Sequence, residues 1–183
     1  MDPLHLRRAL GRFTTGVTII SCVDAQGGLV GLTANSFNSL SLDPPLVLWS
    51  LRESSSSLAA FTAARRFAIN VLAEAQVDLS RRFAARGADK FNEGVWGLSE
   101  LGNPVLAGCA AVFECERHAQ HDVGDHRLFI GRVLACEFLM DYLKTQAPFW
   151  KKETTPEGAR WVDARVADDA ALARWGLSLS NVG

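Results

Sequence analysis

The sequence GLTANSFNSLSLDPP occupies residues 31–45 and joins two apolar, strand-like segments. It is rich in small residues and in side chains that carry hydroxyl or amide groups. Small residues let backbone N–H groups approach a ligand closely, and Thr33, Asn35 and Ser36 add short hydrogen-bonding side chains. Such a segment suits a planar, anionic ligand that needs many donors and little steric bulk. The alternative is a plain polar loop between two strands.

Strand-like segments lie on both sides of this stretch. Residues 16–23 are β-branched and apolar, the sequence DAQGG at 24–28 predicts a hairpin turn, and 29–33 return as a second strand. The runs 45–51 and 66–72 have the same apolar character and predict two further strands. The β-type pattern therefore begins well before the polar stretch and continues beyond it.

The second half of the chain adds more strands. Residues 110–116 alternate, with Val112, Glu114 and Glu116 on one face and the intervening residues on the other, which predicts a half-buried strand. A glycine-punctuated strand starts at 128–133. Many short strands without a βαβ rhythm indicate a mainly β protein, a Greek-key barrel with short helices. A G-x-G-x-x-G motif after a strand is absent, so a Rossmann nucleotide site is not predicted.

Short helices and one long loop complete the pattern. Asp2 and Pro3 form a helix-start signal, a capping carboxylate followed by proline at the first helical position. Ser57 can cap a short helix through Ala64, and a further helix is expected over 78–85. Residues 86–104 are irregular and contain glycine, so they are expected to form a functional loop.

Bulk composition limits the function. The chain has 183 residues, 48% hydrophobic and 21% charged, with a net charge of −1, which fits one domain with a sizeable core. The basic residues are scattered, which argues against nucleic acid as a partner. No apolar run reaches the ~20 residues of a membrane span, and the first residues lack an apolar signal core, so we expect a cytoplasmic protein without a membrane contact.

Cysteine and histidine give no sign of a metal site. The four cysteines form no C-x-x-C pair, and we expect them to be reduced, without a structural disulfide. His118 and His121 are three positions apart, which places them on opposite faces of a strand. No cysteine or carboxylate completes a tetrahedral set with them, so no metal is predicted.

Five motifs follow one another in a specific order: TTGVTII at 14–20, GLTANSFNSL at 31–40, PLVLWSL at 45–51 with SSSSL at 54–58, RFAINVL at 66–72, and GDHRLFIGRV at 124–133. In this order they resemble the short-chain flavin reductases, FMN-binding split-barrel proteins that supply reduced flavin to two-component monooxygenases. The resemblance covers roughly residues 5–137. It implies an FMN-binding split β-barrel with FMN or FAD as the flavin, NADH or NADPH as the co-substrate, a homodimer and a partner monooxygenase.

The resemblance also assigns roles to residues. His126 would lie over the flavin face as the catalytic residue, whereas a lone histidine is more often structural. The serines at 54–57 would hold the flavin phosphate with help from basic residues in 81–90, whereas a polar capping loop is the commoner role for such a tetrapeptide. The residues implied to bind the cofactor are Thr33, Ala34, Asn35, Ser36, Ser50, Leu51, Ser56, Ser57, Phe83 and Lys90.

The C-terminal part departs from this family. Residues 136–175 resemble the end of the large catalytic subunit of molybdopterin synthase, in which the lysines matching Lys144 and Lys151 serve sulfur transfer. We therefore expect a flavin reductase-like domain over 1–137 and an atypical α/β appendage over 138–183. Its pattern predicts a helix over 137–146 and strands at 147–152 and 160–166. Alternatively, residues 147–150 replace the family's final strand.

The combined prediction is an NAD(P)H:flavin oxidoreductase that supplies reduced flavin to a monooxygenase. Two alternatives stay open at this point. One is a non-catalytic flavin-binding protein on the same fold, and the other is a sulfur-transfer subunit related to molybdopterin synthase.

Overall fold

A seven-stranded antiparallel sheet dominates the computed structural model of the chain. The structure describes residues 2–87 and 89–138, together with the strands at 152–155 and 158–161. The helices are α1 (Pro3–Leu10), α2 (Leu58–Ala63) and α3 (Val77–Ala84), with short 3-10 helices at Glu74–Gln76 and Lys90–Asn92. The strands are β1 (Thr18–Val23), β2 (Leu29–Ala34), β3 (Asn38–Leu42), β4 (Pro45–Arg52), β5 (Arg66–Val71), β6 (Trp96–Leu98), β7 (Pro104–Leu106), β8 (Ala111–Val123), β9 (His126–Phe138), β10 (Lys152–Thr155) and β11 (Gly158–Trp161).

The large sheet curls around one apolar core. Its strand order is β2-β1-β5-β8-β9-β4-β3, and strands from both halves of this order bury side chains in the same cluster. Trp49 of β4 lies at the centre, fully buried, and stacks on Phe129 of β9 with 4.5 Å between ring centroids. The predicted mainly β barrel is therefore confirmed.

A second apolar cluster covers the outer face of the sheet. It contains Ile19 of β1, Phe83 of α3 and Val112 of β8, whereas Ile20 and Cys115 face the barrel core. The predicted half-buried character of β8 is confirmed for most of residues 111–116, which are partly exposed. The exception is Val112 on the predicted outer face, which is buried in this second cluster beside Phe83 of α3 and Leu106 of the β6–β7 hairpin.

Buried hydrogen bonds fix the β6–β7 hairpin to the barrel. Asn70 of β5 is fully buried and accepts a hydrogen bond from the backbone N–H of Leu106 at 2.9 Å. The Asn70 amide donates in turn to the carbonyl oxygen of Ile19 and to the Ser21 hydroxyl, both at 3.0 Å. Ser21 donates to the Pro104 carbonyl at 2.6 Å. Because buried polar groups are costly to leave unpaired, this network determines where the hairpin sits.

Most expected elements are present, with two differences. Strands at 16–23, 29–33, 45–51 and 66–72 are confirmed within one or two residues as β1, β2, β4 and β5. The stretch 31–45 is not one loop, because its second half forms β3, a mostly exposed edge strand held by its ladder to β4. Likewise, the loop predicted at 86–104 contains β6 and the first residue of β7.

The helix signals are mostly confirmed. The Asp2 carboxylate accepts a hydrogen bond from Leu4 N at 3.0 Å and caps α1. Ser57 occupies the N-cap position of α2, but its hydroxyl makes no capping hydrogen bond. Among the described residues, none of the helices is both long enough and apolar enough to cross a membrane.

The C-terminal part of the chain is described only as the β10–β11 hairpin. The sequence predicted strands at 147–152 and 160–166, whereas β10 and β11 have different bounds, Lys152–Thr155 and Gly158–Trp161. Residues 137 and 138, predicted as the start of a helix, instead form the end of β9. The rest of the helix predicted over 137–146 lies outside the described residues. Lys144 and Lys151 lie outside them too.

Candidate functional site

One large open cavity of about 1140 Å³ runs along β2. Its walls come from β2 and the following residues, the end of β4, the segment before α2, the end of α3 and the loop after it. The volume slightly exceeds the usual range of small-molecule sites. Every residue that the sequence predicted for cofactor binding or catalysis lies in this wall: Thr33, Ala34, Asn35, Ser36, Ser50, Leu51, Ser56, Ser57, Phe83, Lys90 and His126.

Aromatic side chains pack directly against β2 at Gly31, which carries no side chain. A Cβ at this position would lie 2.6 Å from Cε1 of Phe83 and 3.0 Å from Cζ of Phe91. Phe83 is 1% exposed and packs edge-on against Phe91, with 5.0 Å between centroids. Phe83 therefore belongs to the second apolar cluster, where its ring supports the cavity wall from behind.

Two hydroxyl groups of the wall are already engaged within the protein. Thr33 donates to the carbonyl oxygen of Ser80 at 2.6 Å, which ties β2 to α3. The Ser36 hydroxyl donates to the Ser50 carbonyl at 3.1 Å and accepts from the Ser50 N–H at 3.0 Å. The expectation that the Thr33 side chain donates to a ligand therefore conflicts with its geometry. Within the described residues, the Asn35 carboxamide makes no hydrogen bond.

The segment Ser54–Ser57, which we call the serine corner, closes one end of the cavity. Its backbone turns tightly, with Ser55 N donating to Arg52 O at 3.0 Å and Leu58 N to Ser55 O at 3.1 Å. Ser55 Oγ accepts from Ser57 N at 3.3 Å. Among the described residues, the hydroxyls of Ser54, Ser56 and Ser57 have no hydrogen-bond partner. Three hydroxyls thus remain available to a ligand at this end.

His126 begins β9 beside the serine corner. It follows a two-residue turn whose first residue, Gly124, has a φ of 62°, a conformation that favours glycine. Nδ1 of His126 lies 2.7 Å from Oδ1 of Asp125, and this hydrogen bond holds the pKa of the Asp125 carboxyl below its usual value. The carboxylate thus fixes the ring with Nδ1 as the donor, which leaves Nε2 of the neutral ring as an acceptor.

The charged groups in the wall favour an anion. Arg52, Arg86 and Lys90 contribute three cationic groups, against the two carboxylates of Glu53 and Asp89. Within the described part of the chain, neither of these two arginines has a carboxylate within salt-bridge distance. The Lys90 ammonium donates to the Phe83 carbonyl at 2.9 Å, and burial lowers its pKa. Its single hydrogen bond to a neutral oxygen leaves two N–H groups for a ligand.

The sequence did not single out several wall residues. Arg52, Glu53, Arg86 and Phe91 line the cavity, although only the general basic region 81–90 was expected to contribute. Arg127, behind the serine corner, was missed as well. The sequence feature that could have identified Arg127 is its spacing from Asp122 around the Gly124 turn, because this spacing makes the two residues cross-strand partners.

The thiols lie away from this chemistry. All four cysteines are free; Cys22, Cys109 and Cys115 are buried and Cys136 is exposed. Burial raises the pKa of each buried thiol to about 12. No cluster of three or more potential metal ligands occurs in the described ranges.

Comparison with known proteins gives consistent matches. A family model described as "Flavin reductase like domain" matches residues 10–155. The FMN reductase (NADH) SmoA of Agrobacterium fabrum is 50% identical over 128 residues, which cover 70% of this chain and 72% of SmoA. The solved NADH:FAD oxidoreductase SgcE6 of Streptomyces globisporus, in complex with NAD and FAD fragments, is 38% identical with a TM-score of 0.71, covering 75% of this chain and 82% of the other.

A third match names a monooxygenase system. The solved styrene monooxygenase flavin reductase SMOB of Pseudomonas putida S12 is 38% identical with a TM-score of 0.67, covering 73% of this chain and 86% of that one. Coverage of the longer relatives is lower. The chain spans 72% of SmoA but only 42% to 58% of the length of three other curated relatives.

Proposed function

This chain belongs to the flavin reductase-like domain family, and we propose that it is an NAD(P)H-dependent flavin reductase that supplies reduced FMN or FAD to a partner monooxygenase. The observation that carries the proposal is the cavity in which the β2 wall, the serine corner, two arginines without a carboxylate partner among the described residues, and His126 meet. The names of SmoA and SgcE6 support NADH as the reductant, and the name of SMOB supports the monooxygenase partner.

The cavity fits a flavin in shape and charge. A flat ring system suits the wall of β2 because Gly31 lets this strand pack directly on Phe83 and Phe91, which keeps the strand back from the cavity. The free hydroxyls of the serine corner and the cation of Arg52 suit a phosphate group. A bound flavin would supply a two-electron acceptor for hydride. The residues proposed to hold it are those predicted from the sequence, with Thr33, Ser36 and Phe83 acting through the shape of the wall.

His126 is proposed to orient the nicotinamide. In the neutral ring with Nδ1 donating to Asp125, Nε2 is an acceptor, and the nicotinamide carboxamide offers a matching N–H donor. Hydride transfer depends on the distance and orientation of the two rings, so a single well-placed hydrogen bond contributes through geometry. Donation of a proton by the histidine is the alternative role.

A homodimer in the cytoplasm completes the proposal. Leu4 and Phe13, at and just after α1, are 65% and 76% exposed, and Leu42 of β3 is 93% exposed, which favours coverage by a second copy. The free thiols are compatible with a reducing compartment. Light scattering would give the mass in solution, and a monomer would contradict the dimer.

We also propose the division into a reductase-like domain and an appendage near residue 137, although the family match runs on to residue 155. The resemblance of 136–175 to molybdopterin synthase stays a prediction.

The test of the function uses purified protein and free flavin. FMN is titrated while its visible spectrum is followed, and NADH loss is then measured with and without added FMN. We expect FMN to bind and NADH oxidation to require it. Binding without oxidation would indicate a non-catalytic flavin-binding protein. Absence of both binding and any rate above the protein-free background would refute the proposal.

A further inference from the structure

Arg127 lies directly behind the serine corner. It is the second residue of β9 and pairs with Leu51 of β4 and Asp122 of β8. Its side chain is only 20% exposed. Nε lies 2.8 Å from Asp122 Oδ1 and 3.3 Å from Glu53 Oε1. One guanidinium group thus contacts carboxylates on two different elements.

The same guanidinium reaches the far side of the corner. Nη1 of Arg127 donates to the hydroxyl of Thr62 on α2 at 3.2 Å, and Arg117 donates to the Thr62 carbonyl. Glu53 immediately precedes the corner, and α2 immediately follows it. Arg127 therefore connects the two flanks of the segment Ser54–Ser57. The planar fork of arginine suits this, because a lysine ammonium is a point charge on a flexible stem.

Arg127 also stabilises the turn that carries His126. The backbone N–H of Glu53 donates to the carbonyl of Asp125 at 3.0 Å. Glu53 is thus held through its side chain by Arg127 and through its backbone by the turn. The serine corner and His126 are consequently fixed relative to each other through Glu53.

Charge gives Arg127 a second effect. Glu53 lines the cavity next to the serine corner, so its negative charge would repel a bound phosphate. Arg127 compensates this charge at 3.3 Å. Asp122, the other carboxylate on Arg127, is 75% exposed, so solvent screens it more strongly. Loss of Arg127 would leave an uncompensated negative charge beside the corner.

We propose that Arg127 is a positioning residue that makes the serine corner selective for a phosphorylated flavin, by fixing the corner and compensating Glu53. This inference rests on the proposed function. It predicts a difference between FMN, which carries a phosphate, and riboflavin, which does not. A purely structural role would weaken both flavins alike.

The experiment compares dissociation constants for FMN and riboflavin in four proteins: wild type, Arg127→Met, Arg127→Met with Glu53→Gln, and the control Arg132→Met. Arg132 is on the same strand and pairs with Glu116 at 3.2 Å, but it does not line the cavity. In Arg127→Met we expect the FMN-over-riboflavin preference to fall about threefold to tenfold, the size of one partly screened charge near the phosphate. The double variant should recover most of that preference, and the control should keep it.

Several results would overturn the proposal. Equal weakening of both flavins in Arg127→Met, or no recovery in the double variant, would show that charge at Glu53 plays no part. If Arg127→Met does not fold, Glu53→Gln alone provides the test. It should strengthen FMN relative to riboflavin, and an unchanged ratio would contradict the inference.

Failure of the inference is distinguishable from failure of the proposed function. If wild type oxidises NADH with added flavin and prefers FMN, but Arg127→Met keeps that preference, only the role of Arg127 is refuted. If wild type binds neither flavin, the proposed function is refuted and the inference with it.

Discussion

Substitution of Gly31 by alanine tests whether packing beneath β2 shapes the cavity. The new Cβ would lie 2.6 Å from Cε1 and 3.0 Å from Cδ1 of Phe83, and 3.0 Å from Cζ of Phe91. Phe83 is 1% exposed and is enclosed by Phe91 and Trp96, with ring centroids 5.0 Å and 5.3 Å away. The ring is therefore closely packed on this side, and we expect β2 to shift towards the cavity.

The expected cost follows from two opposing effects. Overpacking of a dense core costs about 1–3 kcal/mol. Replacing glycine by alanine restricts the unfolded chain and returns about 0.4–1 kcal/mol. We therefore expect Gly31→Ala to lower the free energy of unfolding by roughly 1–2 kcal/mol. Because the cavity wall moves, flavin affinity should fall as well.

Denaturant unfolding of wild type, Gly31→Ala and Gly97→Ala measures this cost. Gly97 lies in β6, and a Cβ there would meet no atom within 4 Å, so its substitution is the matched control. Phe83→Leu removes the ring atom that the new Cβ would meet, so the double variant should lose less stability than the sum of the two single variants. Additive losses, or equal effects at Gly31 and Gly97, would refute the reasoning.

The remaining predictions concern the cavity and the thiols. His126→Ala should lower turnover about 10- to 100-fold while changing flavin affinity less, in steady-state and binding measurements; an unchanged rate with NADH and NADPH would make the residue structural. Ser56→Asp combined with Ser57→Asp should weaken FMN far more than riboflavin because carboxylates repel a phosphate, and equal weakening in titrations would place the phosphate elsewhere. A thiol reagent at pH 8 should label only Cys136 in the native protein, since the three buried thiols have pKa values of about 12; rapid labelling of a second thiol would contradict their burial.

Local sequence patterns were sufficient to predict most strands. β1, β4 and β5 are apolar runs buried in the core, and their patterns are strong because burial requires them. β3 was missed because its serines and leucines are mostly exposed, so no burial pattern marks it. An edge strand of this kind is stabilised by its ladder to β4, which depends on residues distant in sequence.

The cavity wall was predicted better than the roles of its side chains. Motif order pointed to residues that all line one cavity. The sequence did not show that the Thr33 hydroxyl is used by Ser80, or that Ser36 and Ser50 bond to each other. These bonds join residues 14 to 47 positions apart, and only the tertiary fold brings such partners together. Arg127 was missed for the same reason, since its contacts with Glu53 and Thr62 cross three elements.

The small residues of β2 therefore serve both the internal packing of the protein and the shape of the cavity. Gly31 is needed by the aromatic side chains beneath the wall, and the hydroxyls of Thr33 and Ser36 bond within the protein itself. β2 is the first strand in the order of the large sheet, so the side of its backbone away from β1 has no ladder partner in the described sheet. Backbone groups left in this way at a sheet edge are ready to pair with another polar edge. If the proposed function is right, the polar edge of a flavin ring pairs with these backbone groups of β2. The side chains of β2 then need only leave room for the ring.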